Sequence, residues 1–212
     1  MMRWHIGRRT AAAALSVLAA GCASLVPPAS TTGPEISATV AAPLRTFQDK
    51  LDLAGRLSVR YQGERREEAL HGSFTWAQSP ARTTVTLLSP LGQTVAVIDV
   101  TAQGAKLTQA GQAVRTASDV DTLTAEALGW PLPVSGMRQW LQGFGLDGSG
   151  QHFVATPRNS DITTREGWRI RYANWQDEAS PQSLPRRIDL ARSTEQAGDV
   201  SIRIVIDTWQ EH

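Results

Sequence analysis

Few residues of this 212-residue chain are suited to covalent chemistry. It contains one cysteine, Cys22, and the histidines that follow it, His71, His152 and His212, lie far apart in the sequence. A single thiol excludes a disulfide framework, a cysteine-based zinc site and an iron–sulfur cluster. No Gly-x-Ser-x-Gly nucleophile motif occurs. These observations predict a protein that is not an enzyme and holds no metal, and they leave open a Ser/His/Asp cluster that forms only on folding.

Two polar segments look like binding motifs but lack essential parts. Asp119 and Asp121 have the spacing of carboxylates in a calcium loop without its remaining ligands. Their charge is better suited to the start of a helix. The glycine-rich segment 145–150 lacks the lysine of a phosphate-binding loop. We therefore expect a helix N-terminus at the first segment and a surface loop at the second.

The residues around Cys22 predict its chemistry. Three arginines lie among the first nine residues, an apolar stretch covers 10–20, and Leu18–Cys22 reads Leu-Ala-Ala-Gly-Cys. A basic start and an apolar run too short to span a bilayer are typical of a secretory signal. The last five residues are similar to a bacterial lipobox. That similarity implies a lipoprotein signal peptide over 1–21 and a lipid anchor at Cys22, carrying a diacylglyceryl thioether and an N-linked acyl chain. An ordinary signal peptide followed by a buried cysteine is the alternative.

The residues after Cys22 predict a nearly neutral domain on a tether, and Ala23 implies the membrane that holds it. The formal charge of the whole chain is +1, which argues against nucleic acid as a partner. Residues 1–21 hold three arginines and no acidic residue, so the remainder is −2. Ala23 is not the aspartate associated with retention in the inner membrane, which implies the periplasmic face of the outer membrane. Residues 22–43 are rich in proline and poor in charge, so we expect an acylated flexible tether there. We expect the folded domain over 44–212, beginning with a short helix over 44–52.

Apolar and polar residues alternate with a period of two over most of the predicted domain, which indicates β-strands. Short amphipathic strands separated by turn residues are typical of an antiparallel sheet curled into a barrel or sandwich. Residues 118–129 and 134–143 instead show the helical spacing of apolar residues, with Ser118 as the expected N-cap and Gly129 and Gly143 as stops. The predicted fold is mainly β, a curved antiparallel sheet with a helical cover.

The apolar faces of these elements are compatible with a cavity. Six tryptophans follow Cys22, and core filling explains any one of them. Together with the aliphatic residues, they would also suit a curved sheet that encloses an apolar ligand. Strand alternation and the second helix predict the following lining residues: Leu57, Val59, Phe74, Trp76, Val85, Leu87, Val95, Val97, Trp140, Ile170 and Ile204.

The segment Ser89–Gln93 places a leucine where polar residues are usual. Pro90 and Gly92 indicate a tight connection between two apolar strands, and the tips of such connections normally carry polar side chains. Leu91 at this tip has two interpretations. It packs on a neighbouring loop, or it is exposed and enters a membrane, where full burial of a leucine contributes about 2 kcal/mol.

Several short motifs, in this order, resemble the LolB family of outer-membrane lipoproteins. They are Gly55–Val59 (GRLSV), Gly72–Trp76 (GSFTW), Ser89–Thr94 (SPLGQT), Leu128–Gly136 (LGWPLPVSG), Trp140–Gly143 (WLQG), Trp168–Trp175 (WRIRYANW) and Pro185–Leu190 (PRRIDL). The LGWPLPVSG motif is the most specific of them. The resemblance implies an unclosed antiparallel β-barrel of about eleven strands with a helical lid over an apolar cavity.

The resemblance also implies a function. A monomer of this family accepts acylated lipoproteins from the periplasmic carrier LolA and inserts them among the outer-membrane lipids, without a cofactor. The family carries an apolar residue that protrudes from the loop between two consecutive strands. In this sequence that residue corresponds to Leu91, which predicts a membrane-insertion loop.

Two other functions stay open at this point. The first is an envelope lipoprotein that binds another amphiphile, such as lipopolysaccharide or a fatty acid. The second is a hydrolase of envelope lipids, which the missing nucleophile motif disfavours.

Overall fold

The computed structural model describes residues 45–63, 66–195 and 197–211. The predicted signal peptide (1–21), Cys22, the predicted tether (22–43) and His212 lie outside the described residues. None of the helices in the described ranges is both long and apolar enough to cross a membrane.

Strands dominate the described part of the chain, as alternation predicted. Ten of its twelve strands form one antiparallel sheet in the order β6-β5-β4-β3-β2-β1-β12-β11-β10-β9, and β7 pairs with β8 in a small second sheet. The strands are β1 (Leu51–Gln62), β2 (Glu67–Gln78), β3 (Arg82–Leu88), β4 (Thr94–Thr101), β5 (Gly104–Gln109), β6 (Arg115–Ala117), β7 (Phe144–Leu146), β8 (His152–Val154), β9 (Asp161–Thr163), β10 (Arg169–Trp175), β11 (Pro185–Thr194) and β12 (Gly198–Glu211). Among these residues the edge strands β6 and β9 are not paired with each other, so the sheet is unclosed.

Two short helices follow β6, close to the predicted positions. Helix α1 spans Val120–Leu128 and ends at Gly129, and helix α2 spans Val134–Trp140. The N-cap of α1 is Asp119 and not Ser118, because the Asp119 carboxylate accepts a hydrogen bond from the Thr122 backbone N–H at 2.7 Å. A carboxylate at this position also interacts favourably with the positive end of the helix dipole. This interaction explains Asp119 better than a calcium site does.

The helices join the two edges of the open sheet. Helix α1 packs on β5 and β6. On the other side, the Tyr172 hydroxyl in β10 donates a hydrogen bond to the Trp140 carbonyl oxygen at 3.1 Å, and the Trp140 and Trp168 rings lie 6.3 Å apart. The pair α1–α2 therefore forms a helical lid across the gap between the edges.

The space between sheet and lid is filled by apolar side chains from both. The inward face of the strands and the stripes of the two helices form one continuous core. The largest fully buried side chains include Trp76, Tyr172, Leu141, Ile188 and Ile204. Burial of this apolar surface is the main term that holds the lid on the sheet.

A glycine permits a close approach between strands β2 and β3. A Cβ atom at Gly72 would lie 2.2 Å from the Leu88 carbonyl oxygen, closer than any real side chain allows. The Leu88 carbonyl oxygen at the end of β3 therefore occupies the space that a side chain at this position of β2 would need. Only glycine permits that approach.

The segment before β1 is not the helix that we expected. Residues 45–50 contain no helix, and β1 begins at Leu51. The Arg45 guanidinium donates hydrogen bonds to the carbonyl oxygens of Gln142 (2.9 Å), Ala155 (2.8 Å) and Ser183. These long-range contacts hold the start of the segment against residues far away in the sequence, and burial lowers the pKa of Arg45.

Candidate functional site

The hairpin between β3 and β4 presents Leu91 to solvent. The Gly92 N–H donates to the Ser89 carbonyl oxygen at 2.9 Å, and the Ser89 N–H donates to the Gln93 carbonyl oxygen at 2.8 Å. Gly92 has a φ of 80°, a left-handed conformation that three-residue hairpin loops require. The loop is thus a closed, defined turn, and Leu91 at its tip is 87% exposed. Of the two interpretations of this leucine, packing on a neighbouring loop does not occur.

Other exposed apolar side chains lie at the same end of the sheet. Val95 follows the Leu91 loop and is 44% exposed, and Val114 lies in the hairpin between β5 and β6 and is 56% exposed. Hairpins β3–β4 and β5–β6 turn at the same end because the strands are antiparallel neighbours. We call Leu91, Val95 and Val114 the apolar rim. Exposed apolar clusters of this kind mark contacts with proteins or membranes.

Most of the residues predicted to line a cavity do face the core. Leu57 is half-buried and packs against it. The following predicted residues are buried in it: Val59, Phe74, Trp76, Val85, Leu87, Trp140, Ile170 and Ile204. Whether they contact a ligand stays a prediction.

Val95 and Val97 are placed differently from the prediction. The core-facing residues of β4 are Ala96 and Ile98, so Val97 faces outward and Val95 is largely exposed. Leu87 pairs with Ala96 but Leu88 pairs with Thr94, which leaves Val95 as the extra residue of a β-bulge. A strand that is apolar on both faces carries no signal for which face is buried, and the bulge also breaks its alternation.

The lid meets the sheet beside a small opening. A cavity of about 260 Å³ lies between α2 and the segment before β10, with Trp140, Trp168 and Leu146 in its wall. The Trp140 ring packs so closely on α2 that a Cβ at Gly136 would lie 2.3 Å from it. Trp140 is thus both part of the buried core and part of the wall of this opening.

Local hydrogen bonds make the lid one unit. The Ser135 backbone N–H donates to an Asp121 carboxylate oxygen at 3.0 Å, and the Ser135 hydroxyl donates to the other oxygen. The buried Thr124 hydroxyl donates to the Leu132 carbonyl oxygen at 2.9 Å. Burial raises the pKa of Asp121, against the effect of its hydrogen bonds from Ser135. The two helices are thus bonded to each other, whereas the Tyr172–Trp140 hydrogen bond connects α2 to β10.

The remaining candidates for chemistry are dispersed. His71 and His152 are exposed and lie on separate sheets, and within the described ranges no three His, Cys, Asp or Glu side chains form a group that could hold a metal ion. In segment 145–150, the Asp147 carboxylate accepts hydrogen bonds from the N–H groups of Ser149 and Gln151, both at 2.9 Å. This glycine-rich segment is therefore a self-bonded turn after β7.

Comparison with known proteins connects this arrangement to a family. The model of a family described as "Outer membrane lipoprotein LolB" matches residues 49–209. The chain is 40% identical to the outer-membrane lipoprotein LolB of Cupriavidus metallidurans over 193 residues, which cover 89% of each chain. It is 42% identical to the protein of the same name from Cupriavidus taiwanensis over 176 residues, covering 78% of this chain and 86% of the relative. A crystal structure of a LolA superfamily protein from Nitrosomonas europaea aligns with a TM-score of 0.43 and 11% identity, over 80% of this chain and 89% of the other.

Proposed function

The chain belongs to the LolB family of outer-membrane lipoproteins, and on this basis we propose that it receives lipoproteins from the periplasmic carrier LolA and inserts them into the outer membrane. The structural observation that carries the proposal is Leu91, an almost fully exposed leucine at the tip of a closed hairpin. Such a residue contributes nothing to the core and is available for the bilayer. Cys22 would carry the acyl chains that hold the chain at the same membrane.

The core beneath the lid is the proposed site for the acyl chains of a client lipoprotein. It offers the apolar faces of β1–β4 and β10–β12, with aromatic side chains such as Phe74 and Trp76 among them. Each CH₂ group that leaves water contributes about 0.8 kcal/mol, so acyl chains require such an environment throughout transfer. Entry would displace α2 with Trp140, because this helix covers the opening beside Trp168.

Direction of transfer needs no nucleotide and no covalent step. Handover between two apolar sites avoids exposure of the acyl chains to water, and it proceeds towards whichever site binds them more tightly. Release into the bilayer is favourable because lipid solvates the chains at least as well as a protein site does. Leu91 and the apolar rim would bring the site against the bilayer at that step.

Transfer of a labelled lipoprotein tests the proposal. The chain from residue 22 onward, with Cys22→Ala so that no acyl chain is attached, is mixed with LolA carrying a labelled lipoprotein. The label is expected to move to this chain and then to added outer-membrane vesicles. A label that stays on LolA would contradict the receptor role.

A matched variant identifies the site of binding. Trp76→Glu places a charge in the proposed acyl site, whereas Thr75→Glu adds the same charge on the outward face of the same strand. Thermal unfolding first establishes that both variants fold. Loss of transfer in the folded Trp76→Glu chain and normal transfer in Thr75→Glu then support the core as the site. Mass spectrometry of molecules that copurify with the chain checks the alternative, because glycolipid or free fatty acid in place of acylated peptide would indicate a different amphiphile.

A further inference from the structure

The outward face of the sheet carries a groove that the proposed transfer does not use. The groove has a volume of about 700 Å³ and crosses β1, β12, β11 and β10. Two rows of paired residues form it. One row runs Arg60–Ser201–Ala191–Arg169, and the other runs Ser58–Arg203–Asp189–Arg171.

The first row has the shape of a trough. Its two middle residues, Ser201 and Ala191, have small side chains and form the floor, while Arg60 and Arg169 stand at either end. Three strand spacings separate the two arginines, which is about 14 Å. Two long side chains can converge over a phosphate-sized group across such a distance.

The second row is largely neutralised by its own ion pairs. Asp189 accepts hydrogen bonds from Arg187 at 2.7 Å and from Arg203 at 3.0 Å. Arg171 lies 3.8 Å from Asp161. By contrast, Arg60 and Arg169 are exposed and have no ion-pair partner among the described residues. They are the cationic groups left free for a ligand, on a chain whose overall charge is close to zero.

The groove continues to the Leu91 hairpin. A second groove of about 380 Å³ shares Ser58, His71 and Arg203 with the first and extends to Pro90, the neighbour of Leu91. Pairing across the sheet explains this proximity, since Leu88 at the base of the hairpin pairs with Ser73, two residues from His71. A surface that touches Leu91 would therefore lie close to the arginines as well.

From this geometry we propose that Arg60 and Arg169 bind the phosphodiester headgroup of an anionic phospholipid in the leaflet that Leu91 enters. Guanidinium groups form bidentate, charge-assisted hydrogen bonds with phosphate oxygens. An apolar side chain beside exposed basic residues is the usual composition of a surface that lies on an anionic membrane. The proposal shares with the proposed function the premise that the Leu91 hairpin meets the bilayer, and it adds a lipid class that the surface selects.

The test measures sedimentation of the Cys22→Ala chain (residues 22–212) with vesicles. One set of vesicles contains phosphatidylcholine only, and the other an equal mixture of phosphatidylcholine and phosphatidylglycerol. The groove variant is Arg60→Gln with Arg169→Gln. The matched control is Lys50→Gln with Arg186→Gln, which removes two exposed charges at the opposite end of the sheet. Thermal unfolding of all variants confirms that they fold.

The groove variant is expected to lose affinity for the mixed vesicles and to keep its affinity for phosphatidylcholine. One basic residue at an anionic surface strengthens binding roughly fivefold, so loss of two predicts a decrease of about 25-fold. The control pair should change binding less than about twofold, because charges beyond about 10 Å from the membrane are screened. Added salt should remove the difference between groove variant and wild type.

Three results would overturn the proposal. If the groove pair and the control pair weaken binding to the mixed vesicles equally, the binding depends on total charge and not on the groove. Displacement by inorganic phosphate as readily as by phosphatidylglycerol vesicles would indicate a simple anion site. Unchanged vesicle binding with weakened binding of LolA would assign the groove to an acidic protein partner. Leu91→Glu separates the two proposals, since it should weaken binding to both kinds of vesicle, whereas the groove pair affects only the anionic ones.

Discussion

Substitution of Leu91 by glutamate is the most direct test of the exposed hairpin. The side chain is 87% exposed and makes no contribution to the core. The loop itself is held by backbone hydrogen bonds of Ser89, Gly92 and Gln93, which the substitution leaves in place. We therefore expect the free energy of unfolding to change by less than about 0.5 kcal/mol.

The free energy of binding to a bilayer should change far more on substitution of Leu91 than the free energy of unfolding does. Burial of a leucine side chain contributes about 2 kcal/mol, which corresponds to a roughly 30-fold change in the partition coefficient. Leu91→Ala should lose most of this contribution. Leu91→Glu should lose all of it and also incur the cost of a charge near the hydrocarbon. Leu91→Phe should retain binding.

Two assays separate the steps. Sedimentation with phosphatidylcholine vesicles measures the partition coefficient, and transfer of a labelled lipoprotein measures acceptance and insertion in sequence. The Glu variant should accept the lipoprotein normally and fail to insert it. Ala102→Glu is the control, since Ala102 is also exposed but lies in the turn between β4 and β5, at the end of the sheet opposite the apolar rim.

The reasoning is refuted if Leu91→Glu inserts lipoprotein at the wild-type rate, or if Ala102→Glu lowers insertion to the same extent. Failure of Leu91→Glu to accept lipoprotein at all would place Leu91 at the acyl site and not at the membrane. A lowered melting temperature would instead reveal contacts that its exposure does not suggest.

Three further substitutions test the structure and its dependence on pH. Gly72→Ala should lower the free energy of unfolding by more than about 2 kcal/mol, because its Cβ would clash with the Leu88 carbonyl oxygen; urea unfolding measures this, and wild-type stability would contradict the close approach. Asp119→Ala should cost about 1 kcal/mol through loss of the α1 N-cap to Thr122, and Asp119→Ser should restore most of it in the same assay. Burial raises the pKa of Asp121 in the folded chain, so the folded state binds more protons than the unfolded state, and stability should fall as the pH rises from the ordinary value of 3.8 through the raised pKa. Asp121→Asn should reduce this slope, and an unchanged pH profile would exclude Asp121 as its source.

The sequence predicted those elements whose signals are local. Helix α1 has an apolar stripe ended by Gly129, and both features appear where expected. The Leu91 hairpin was predicted from Pro90 and Gly92, since these residues define a tight turn irrespective of their surroundings. The sequence left open whether Leu91 is exposed or packs on a neighbouring loop, and only the structure decides for exposure.

Features that depend on distant contacts were not predictable. The segment at 45–50 was expected to be helical but is held by Arg45, whose hydrogen-bond partners lie about a hundred residues or more away. In β4, Val95 and Val97 were assigned to the wrong face because the strand is apolar on both sides and bulged at Val95. The arginine groove was not found either, because Arg60 and Arg169 become neighbours only through the pairing of four strands.

The position of Arg45 sets a geometric condition on a lipid-anchored chain. Its bonds to the Gln142 and Ser183 carbonyl oxygens fix the entry of the chain at the end of the sheet opposite the Leu91 hairpin. Strand β1, which runs between these ends, has 12 residues and is about 40 Å long. The 23 peptide units from Cys22 to Arg45 extend to about 80 Å at most. The chain between a lipid anchor at Cys22 and Arg45 could thus extend to about twice the length of β1. This length would allow the Leu91 hairpin, at the far end of the sheet, to contact the membrane that carries the anchor.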